Sequence, residues 1–526
     1  MRRSHAEEAV GRDWVEGGLA GLPPLWAEHW PTALAVAGEA AALSFAELER
    51  DSARWARACL AAGLGPGTRV GLWAGNGPAW LVRAFGVWRA GATLVPLSTF
   101  LTAREFSEVL EQAQLDALLL ERRVAHHDLD AVRQSTAAAA TLRRVVLADP
   151  AGEARTGEVE DERAFLRGGD ADRPLPRPSS TDLAAVLYTS GTTGRPKGVR
   201  LTHGSVLATI FPTAERGGLC PGDRVYSSLP LFWVAGLVIR ALPTLAAGSA
   251  LLLSNTFTPE KCMALLRRYQ PSGIHLRPPQ VAALLAHPHF DPALLHSVRK
   301  GGGRIGWYRP YLEDARLITG YGMTEMSGYV TSTRFDDPLP EREAGIGEPL
   351  PGVEIRVVAA DGKQAPPGTT GEIRVRGPGL FAGYDGSPAN AGLDRDGFFC
   401  TGDLGYFGCD GRLRFTGRMK DLLRIKGVNV SPVEVEEVLG RHPTIEAAYV
   451  VGLPEDGLDQ ELVALIVPRS AHVDEPAWRE WCARELSPFK RPSRYVVVRH
   501  DELAFGPTAK PQRVELARLA RAKLGG

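Results

Sequence analysis

The chain has 526 residues, of which 44% are hydrophobic and 23% are charged, a composition that excludes a fibrous or mainly disordered protein. It carries 61 Lys and Arg residues and 61 Asp and Glu residues, so no general attraction to nucleic acid or to an anionic membrane is expected. At roughly 100 to 200 residues per domain, this length predicts about three or four structural units.

The first part of the chain predicts βαβ units. Its first 19 residues carry four acidic side chains where a signal peptide needs an apolar stretch, so no export is expected. Helical and strand patterns then alternate to about residue 121, which is typical of a largely parallel sheet. Ser44 and Thr102 are predicted to cap two of the helices. The predicted helices are residues 45–62, 80–90 and 102–112, and the predicted strands are 69–74, 93–97 and 117–120.

A second βαβ block is predicted beyond a polar stretch. Residues 150–182 are rich in Gly, Pro, Arg and Asp and predict an exposed connection, after which 183–188 predicts a strand. The most apolar region is 231–253. Because Arg240, Pro243 and Gly248 interrupt it, we interpret it as buried core and predict no membrane span.

The last third of the chain changes pattern twice. Beyond about residue 336, short strands at 353–358, 371–376 and 411–415 are separated by Gly and Asp turns, which predicts a small antiparallel β subdomain. After residue 418, a compact α+β domain is predicted. Its helices are 432–440 and 475–486, and its strands are 447–453 and 462–467. The predicted fold class is therefore α/β, with a large N-terminal lobe of βαβ sheets, this subdomain and a small C-terminal domain.

The cysteines indicate a reducing compartment. There are six, without any CxxC pair, so neither a disulfide framework nor a zinc knuckle is predicted, and the cytoplasm is favoured. They are Cys59, Cys220, Cys262, Cys400, Cys409 and Cys482.

The most informative stretch is residues 188–199, Tyr-Thr-Ser-Gly-Thr-Thr-Gly-Arg-Pro-Lys-Gly-Val, which directly follows a predicted buried strand. Its glycines let backbone N–H groups approach phosphate oxygens, its hydroxyls add donors, and Lys197 adds positive charge. It does not match the GxxxxGK[ST] spacing of a Walker loop. The alternative is a flexible surface loop. The candidate nucleotide-binding residues here are Thr189, Ser190, Gly191, Thr192, Thr193, Gly194 and Lys197.

Together with this loop, five further segments resemble the motifs of the adenylate-forming superfamily, which comprises acyl-CoA synthetases, peptide-synthetase adenylation domains and beetle luciferases. The segments, in the family's order, are Gly320-Tyr-Gly-Met-Thr-Glu325, Gly371-Glu-Ile-Arg-Val-Arg-Gly377, Thr401-Gly-Asp403, Gly417-Arg-Met-Lys-Asp421 with Lys426-Gly427, and Lys510. The resemblance covers nearly the whole chain and points to stand-alone acyl- or aryl-CoA ligases.

The resemblance implies roles on the nucleotide side. Tyr321 is expected to lie against adenine and Thr324 to reach the α-phosphate. Glu325 is expected to ligate Mg²⁺, a hard cation suited to carboxylate and phosphate oxygens, although in isolation it would be a surface carboxylate. Asp403 is expected to bind the ribose hydroxyls; a Gly-flanked Asp is also typical of a turn. Arg418 is expected to help hold the ribose or the phosphates with its fork of donors.

The resemblance also implies a two-step reaction. A carboxylate attacks the α-phosphorus of ATP to give acyl-AMP and pyrophosphate, and a thiol then displaces AMP. Lys510 is expected to be catalytic, with Thr324 and Glu325, because its charge bridges the carboxylate and the α-phosphate.

The resemblance further implies that the C-terminal domain is mobile. It is expected to rotate about a hinge near Lys420 between the two steps, so the large domain is residues 1–419 and the small one 420–526. In isolation Lys420 would be a linker lysine. The rotating segment on the CoA side carries Arg424, Lys426, Gly427 and Asn429.

Three places depart from the family's pattern. Ala509 and Pro511 flank Lys510, where the family usually has Gly before the lysine and an apolar or β-branched residue after it. Arg304 stands where a proline is expected. Trp233 ends a motif that commonly ends in His, and it can pack against a large apolar substrate. The candidate acyl-pocket residues are Trp233, Gly301, Gly302, Gly303, Gly322 and Met323.

The predicted function is an acyl- or aryl-CoA ligase that uses ATP, Mg²⁺ and CoA to activate a hydrophobic carboxylic acid, whether fatty, aryl or polycyclic. The setting of Lys510 leaves open a ligase that only thioesterifies acyl-AMP from a partner adenylating enzyme. An adenylate-binding protein without turnover is a weaker alternative, and a luciferase-like oxygenase also stays open. A peptide-synthetase domain is disfavoured, because residues 233–235 lack the acidic side chain that would neutralise an ammonium and no carrier module is expected after Lys510.

Overall fold

The computed structural model describes residues 12–121, 141–148, 159–189, 196–303, 311–312, 315–344, 346–425, 428–454, 460–470, 473–505 and 512–525. The chain forms two compact units. The larger unit is Met1–Glu354 with Arg376–Leu393, and the smaller is Ile355–Val375 with Asp394–Gly526. Several predicted site residues lie outside the described residues: Ser190, Gly191, Thr192, Thr193, Gly194, Lys426, Gly427 and Lys510.

The strands of the larger unit are β1 (Leu34–Ala37), β2 (Ala42–Ser44), β3 (Arg69–Trp73), β4 (Thr93–Pro96), β5 (Ala117–Glu121), β6 (Arg144–Ala148), β7 (Val159–Asp161), β8 (Leu183–Thr189), β9 (Lys197–Thr202), β10 (Arg224–Ser227), β11 (Ala250–Leu253), β12 (Gly273–His275), β13 (Lys300–Gly302), β14 (Arg316–Ile318), β15 (Gly320–Met323), β16 (Gly328–Ser332) and β17 (Glu348–Pro349).

Its helices are α1 (Leu22–His29), α2 (Phe45–Ala61), α3 (Pro78–Arg89), α4 (Ala103–Ala113), α5 (Glu162–Arg167), α6 (His203–Arg216), α7 (Val234–Gly236), α8 (Leu242–Ala246), α9 (Pro259–Tyr269), α10 (Pro278–Leu285) and α11 (Leu339–Ala344). A π-helical turn, Leu237–Ala241, joins α7 to α8. The described part of this unit also contains the 3₁₀ segments Arg12–Gly21, Pro292–Leu295 and Thr324–Met326.

Two seven-stranded sheets form the framework of this unit. Their strand orders are β7-β6-β5-β3-β4-β8-β9 and β14-β13-β12-β10-β11-β1-β2. Each sheet is parallel except for one antiparallel strand at an edge, β9 in the first and β2 in the second. Strands β15, β16 and β17 form a third, antiparallel sheet. The predicted α/β class is confirmed, and the apolar strand sequences follow from burial of both sheet faces.

The two predicted helix starts are confirmed by reciprocal caps. The hydroxyl of Ser44 accepts from the backbone N–H of Glu47, whose carboxylate accepts from the backbone N–H of Ser44. Thr102 and Glu105 form the same arrangement at the start of α4. These side chains satisfy backbone donors that the first helical turn leaves unpaired.

The predicted exposed connection at 150–182 is partly wrong. It contains β7, which pairs in parallel with β6, and α5, whose first turn is capped by the side chain of Asp161. Phe165 of α5 is buried, and Glu162 forms an ion pair with Arg83 of α3 at 3.0 Å. One buried apolar side chain and one ion pair hold this short helix, and composition alone does not reveal them.

The apolar region 231–253 packs inside the larger unit, as predicted. Leu237, Val238, Leu242 and Leu245 are buried, and the region ends in the fully buried strand β11. Among the described residues, no helix combines the length and the apolar character that crossing a bilayer requires. All six cysteines are free.

The remaining strands are β18 (Glu354–Val358), β19 (Gly371–Arg376), β20 (Phe399–Phe407), β21 (Leu413–Arg418), β22 (Leu423–Ile425), β23 (Val428–Val430), β24 (Ile445–Pro454), β25 (Gln460–Pro468) and β26 (Arg494–Val497). The helices of the smaller unit are α12 (Pro432–Gly440), α13 (Glu475–Glu485) and α14 (Arg513–Leu524), with 3₁₀ segments Met419–Asp421, Pro488–Lys490 and His500–Glu502.

The smaller unit is built on two sheets and a hairpin. The first sheet has the order β18-β19-β20-β21, with antiparallel pairing from β19 to β21, as predicted for this region. The second has the order β24-β25-β26 and is covered on both faces. Trp478 of α13 is fully buried on one face and Leu516 of α14 on the other. Strands β22 and β23 form the hairpin.

A largely buried ion pair attaches α14 to this second sheet. The guanidinium of Arg513 contacts the carboxylate of Glu436 at 2.8 Å and donates to the carbonyl of Val450 at 2.6 Å. The same carboxylate accepts from the backbone N–H of Val450 at 2.7 Å. Burial raises the pKa of Glu436, and the Arg513 charge works in the opposite direction. The positive charge of Arg513 therefore offsets the cost of burying the Glu436 carboxylate.

We predict that Arg513→Met destabilises the smaller unit by about 3 kcal/mol, because it leaves Glu436 buried without its counter-charge. Hydrogen exchange measured by mass spectrometry should become faster in α12 and β24, and Glu436→Gln in the same chain should restore part of the protection. The matched control is Arg518→Met, which removes an exposed ion pair with Glu515 on the same helix. Equal effects of the two arginine substitutions would contradict the assignment.

Candidate active site

The base of the predicted phosphate loop lies at an edge of the first large sheet. Thr189 ends β8 and Lys197 begins β9, and the two residues are partners in the antiparallel register. Both are half-buried. The hairpin therefore places a hydroxyl and an ammonium side by side at the two ends of the loop.

A segment that the sequence analysis did not single out, residues 381–385, runs antiparallel to β9. The backbone N–H of Asp385 donates to the carbonyl of Gly198 at 2.7 Å, and that of Ala382 donates to the carbonyl of Arg200 at 2.8 Å. Val199 and Tyr384 form a bridge between the two. The segment thus carries the Tyr384 side chain to the start of β9.

Tyr384 connects the loop to the second predicted motif. Its hydroxyl donates to Oε1 of Glu325 at 2.9 Å, and the ammonium of Lys197 lies 5.3 Å from the centre of its ring. Burial, followed by the charge of Glu325, raises the pKa of Tyr384, so the phenol stays protonated and keeps donating. One aromatic side chain therefore holds a carboxylate and a cation in the same site.

The segment is attached to the sheet through Asp385. The two terminal nitrogens of the Arg69 guanidinium, Nη1 and Nη2, donate to the two carboxylate oxygens of Asp385 at 2.7 and 2.8 Å. The hydroxyl of Tyr188 donates to the same carboxylate at 3.4 Å. Asp385 raises the pKa of Arg69, and burial followed by the Asp385 charge raises that of Tyr188. The sequence offers only an Asp in a Gly-rich stretch and an Arg opening a strand, which is too weak a signal to pair them.

The motif at 320–325 forms a strand and a tight turn. Tyr321, Gly322 and Met323 lie in β15, and Thr324 and Glu325 lie in the following 3₁₀ turn. Tyr321 is buried, whereas Gly322 is exposed and Met323 half-buried. The backbone N–H of Phe381 donates to the carbonyl of Glu325 at 2.9 Å, so the motif also contacts the Tyr384 segment. The predicted contacts of Tyr321 with adenine and of Thr324 with phosphate stay predictions.

The predicted acyl-pocket residues lie in three places, of which β15, with Gly322 and Met323, is one. Gly301 and Gly302 lie in β13, followed by Gly303, and Gly301 lines a small recess. Trp233 lies elsewhere, in an aromatic cluster with Phe100 and Phe232 at centroid distances of 5.7 and 5.6 Å. The recess is lined by apolar residues, by Thr213 and Thr244, and by two side chains that the sequence analysis did not assign, Arg240 and His275.

In the smaller unit, Asp403 and Arg418 face each other across β20 and β21. They are register partners, and Nε of Arg418 lies 2.8 Å from Oδ1 of Asp403. The Asp403 side chain is 3% exposed, whereas that of Arg418 is 38% exposed. Asp403 therefore lies within a strand, although the preceding Gly402, at φ +67°, gives this stretch the appearance of a turn. Both residues predicted to bind the ribose are brought together.

The predicted hinge and CoA-side residues follow this pair. Lys420 is exposed in the 3₁₀ turn Met419–Asp421, directly after β21. Arg424 is exposed in β22, where Asn429 of β23 is its register partner. Their roles in domain rotation and CoA binding stay predictions.

Comparison with known proteins identifies the kind of site. A family model described as AMP-binding enzyme matches residues 25–385, and a model described as AMP-binding enzyme C-terminal domain matches residues 434–510. Together they include the loop, the 320–325 motif and Tyr384 of the larger unit, and Lys510.

Relatives match along nearly the whole chain. A sulfoacetate–CoA ligase from Cupriavidus necator is 32% identical over 95% of this chain and 97% of its own. A feruloyl-CoA synthase from Amycolatopsis is 32% identical over 90% of this chain and 94% of its own. The crystal structure of ATP-bound MatB from Rhodopseudomonas palustris superposes with a TM-score of 0.80 at 27% identity, covering 94% of this chain and 98% of that one.

We predict that Asp403→Asn weakens AMP binding about tenfold, or ~1.4 kcal/mol, because an amide is a poorer acceptor for two ribose hydroxyls than a carboxylate. Isothermal titration with AMP measures the change. Asp410→Asn is the matched control, since Asp410 pairs with Arg414 at 2.9 Å on the exposed surface of the same sheet. The same affinity in both variants would show that Asp403 has no contact with the nucleotide.

Proposed function

Because the chain belongs to the family of AMP-binding enzymes, and is an ATP-dependent acid–CoA ligase like its relatives, we propose that it joins a carboxylic acid to CoA through an acyl-AMP intermediate. The observation that carries the proposal is the grouping of Lys197, Tyr384 and Glu325 at the base of the phosphate loop. A cation fixed there suits the phosphates of a nucleoside triphosphate, and a carboxylate suits the metal ion that accompanies them.

In the first step, a carboxylate oxygen of the acid attacks the α-phosphorus of ATP. The bond from that phosphorus to the bridging oxygen breaks, and pyrophosphate leaves with the electron pair. Two anions must approach each other, so the protein's main contribution is to neutralise and position them. We assign this role to Lys197 and Lys510, with Thr324 contacting the α-phosphate and Tyr321 packing against adenine.

Mg²⁺ fits the residues present only together with the nucleotide. Among the described residues, no group of three His, Cys, Asp or Glu side chains could hold a metal ion. A magnesium ion bound by one carboxylate and by phosphate oxygens is nevertheless a common arrangement. Glu325, held by Tyr384, would be that carboxylate, and the ion would neutralise phosphate charge when bound.

In the second step, the thiol of CoA attacks the acyl carbon, and AMP leaves. We propose that the part of the chain from about residue 420 to 526 reorients against residues 1–419 between the steps, with Lys420 at the hinge. Arg424, Lys426, Gly427 and Asn429 would then lie on the CoA side. The exposed position of Lys420 in a single short 3₁₀ turn without buried residues supports this.

The relatives do not indicate which acid this chain uses, because their names specify acids as different as sulfoacetate and ferulate. The aromatic cluster around Trp233 supports an apolar portion of the substrate. No observation favours a separate partner that supplies acyl-AMP. The free state of all six cysteines supports the reducing cytoplasm as the compartment of the reaction.

We predict that Lys510→Ala lowers acyl-AMP formation at least about 100-fold, because the first transition state loses a charge that the second does not need. Pyrophosphate release with ATP and an acid panel measures the first step, and conversion of synthetic acyl-AMP with CoA measures the second. Lys523→Ala, which removes an ion pair with Glu502, is the control. If the unmodified enzyme converts acyl-AMP but releases no pyrophosphate with any acid, the thioesterification-only alternative is correct.

We predict that Lys420→Pro slows thioester formation about tenfold or more while leaving acyl-AMP formation within about threefold, because proline fixes φ where the hinge must turn. Rapid-quench measurement of the two half-reactions separates these rates. Lys420→Ala, which keeps the backbone free, should behave like the unmodified enzyme. An equal loss in both half-reactions would exclude the hinge at this residue.

A further inference from the structure

Arg240 brings a positive charge into the recess beside β13 without an acidic partner. It lies in the π-helical turn between α7 and α8. Its Nη2 donates to the hydroxyl of Tyr329 at 2.7 Å, and its guanidinium carbon lies 5.5 Å from the centre of that ring. Its Nε is buried and has no hydrogen-bond partner. In the part of the chain that the structure describes, no carboxylate lies within 4.0 Å of its guanidinium nitrogens.

His275 adds a second unsatisfied group at the same place. It ends β12, is 7% exposed, and its Nδ1 is buried without a partner. Burial, followed by the charge of Arg240, holds the pKa of His275 well below its usual range. The imidazole is therefore neutral, and in the tautomer with the proton on Nδ1 it donates to an acceptor.

Gly302 shows that the two groups converge. A Cβ at this position would collide with Nη2 of Arg240 and with Nδ1 of His275. Both nitrogens therefore lie over the same glycine, next to Gly301, which lines the recess. Nη2 already donates to Tyr329, but Nε of Arg240 and Nδ1 of His275 are unpaired. Leaving these two atoms unpaired in a protein interior is costly, and a ligand with acceptor atoms would satisfy them.

The hydrogen bond from Arg240 to Tyr329 connects the recess to the strands of the candidate site. Tyr329, the partner of Arg240, lies in β16 directly opposite Gly322 of β15, two residues before Thr324. The other walls include Leu219, Ile239 and Ile318, which are apolar.

We propose that the acid activated by this enzyme carries a second anionic group, a carboxylate or a sulfonate, and that Arg240 and His275 bind it. The inference rests on the proposed function, since it names the substrate class of the same site. Arg240 supplies the charge and the planar fork that suit such a group, and His275 supplies one further donor. Both are specificity-determining residues and take no part in the bond changes.

The test compares acids that differ only by replacing a methyl group with an anion. The pairs are isophthalate with 3-methylbenzoate and glutarate with pentanoate, and 3-sulfobenzoate distinguishes sulfonate from carboxylate. CoA thioester formation and pyrophosphate release give kcat/KM for each acid. We expect the unmodified enzyme to favour the second anion in one pair by at least about tenfold.

Arg240→Met should lower kcat/KM for the favoured dianionic acid at least about 100-fold while leaving its methyl counterpart unchanged or improved. Arg268→Met is the matched control, because Arg268 also lies over a tyrosine ring, that of Tyr269 at 5.1 Å, but on the surface. If Arg240→Met does not fold, Tyr329→Phe removes the hydroxyl that orients the guanidinium. It should reduce the preference about threefold without affecting the methyl acid.

Preference for the methyl acid in both pairs, or an equal loss of both acids in Arg240→Met, would overturn the proposal and leave Arg240 with a structural role. If no acid is turned over, the proposed function fails, and calorimetric binding of isophthalate and 3-methylbenzoate decides the inference separately. Binding of isophthalate alone, abolished by Arg240→Met, supports it. Absence of such a difference overturns it.

Discussion

The ion pair between Arg69 and Asp385 determines where the functional side chains of the larger unit lie. It joins residues 316 positions apart, and both side chains are mostly shielded from water, at 22% and 14% exposure. Two parallel charge-assisted hydrogen bonds fix the direction of the segment as well as its position. Tyr384, the neighbour of Asp385, is thereby held against β9, and through it Glu325 and Lys197 are held together. Without this contact, the segment would depend mainly on its backbone hydrogen bonds to β9 and to Glu325.

Much of this fold could be predicted from the sequence because local signals agree with the final structure. The capping residues Ser44 and Thr102, the apolar strands and the helix at 432–440 are local patterns, and each appears where it was expected. The nucleotide-side motifs were also recognisable, because chemistry requires particular residues at short spacing. The sequence obscured two elements. Strand β20 contains Gly402, and a glycine next to an aspartate resembles a turn. Helix α5 has Phe165 as its buried residue among polar neighbours.

The unpredicted part of the site consists of contacts between distant segments. Arg240 had been interpreted only as an interruption of an apolar stretch, and His275 had no motif around it. Their significance depends on which strands are neighbours, and the order β14-β13-β12-β10 is what places His275 beside Gly302. Likewise, Arg418 and Asp403 are opposite each other only because of the register of β20 and β21. Sheet register is set by long-range pairing, which a single sequence does not display.

The segment that carries Tyr384 also covers the edge of a sheet. Strand β9 is the last strand of the first seven-stranded sheet, and residues 381–385 occupy the hydrogen-bonding positions on its outer side. An uncovered edge is a template for pairing with another chain and a starting point for aggregation. Under the proposed function, the positions of Glu325 and Lys197 and the resistance to aggregation therefore depend on the same segment. A substitution that detaches the segment would also expose the unpaired edge of β9 and favour aggregation. Selection for solubility alone would therefore tend to preserve this part of the candidate site.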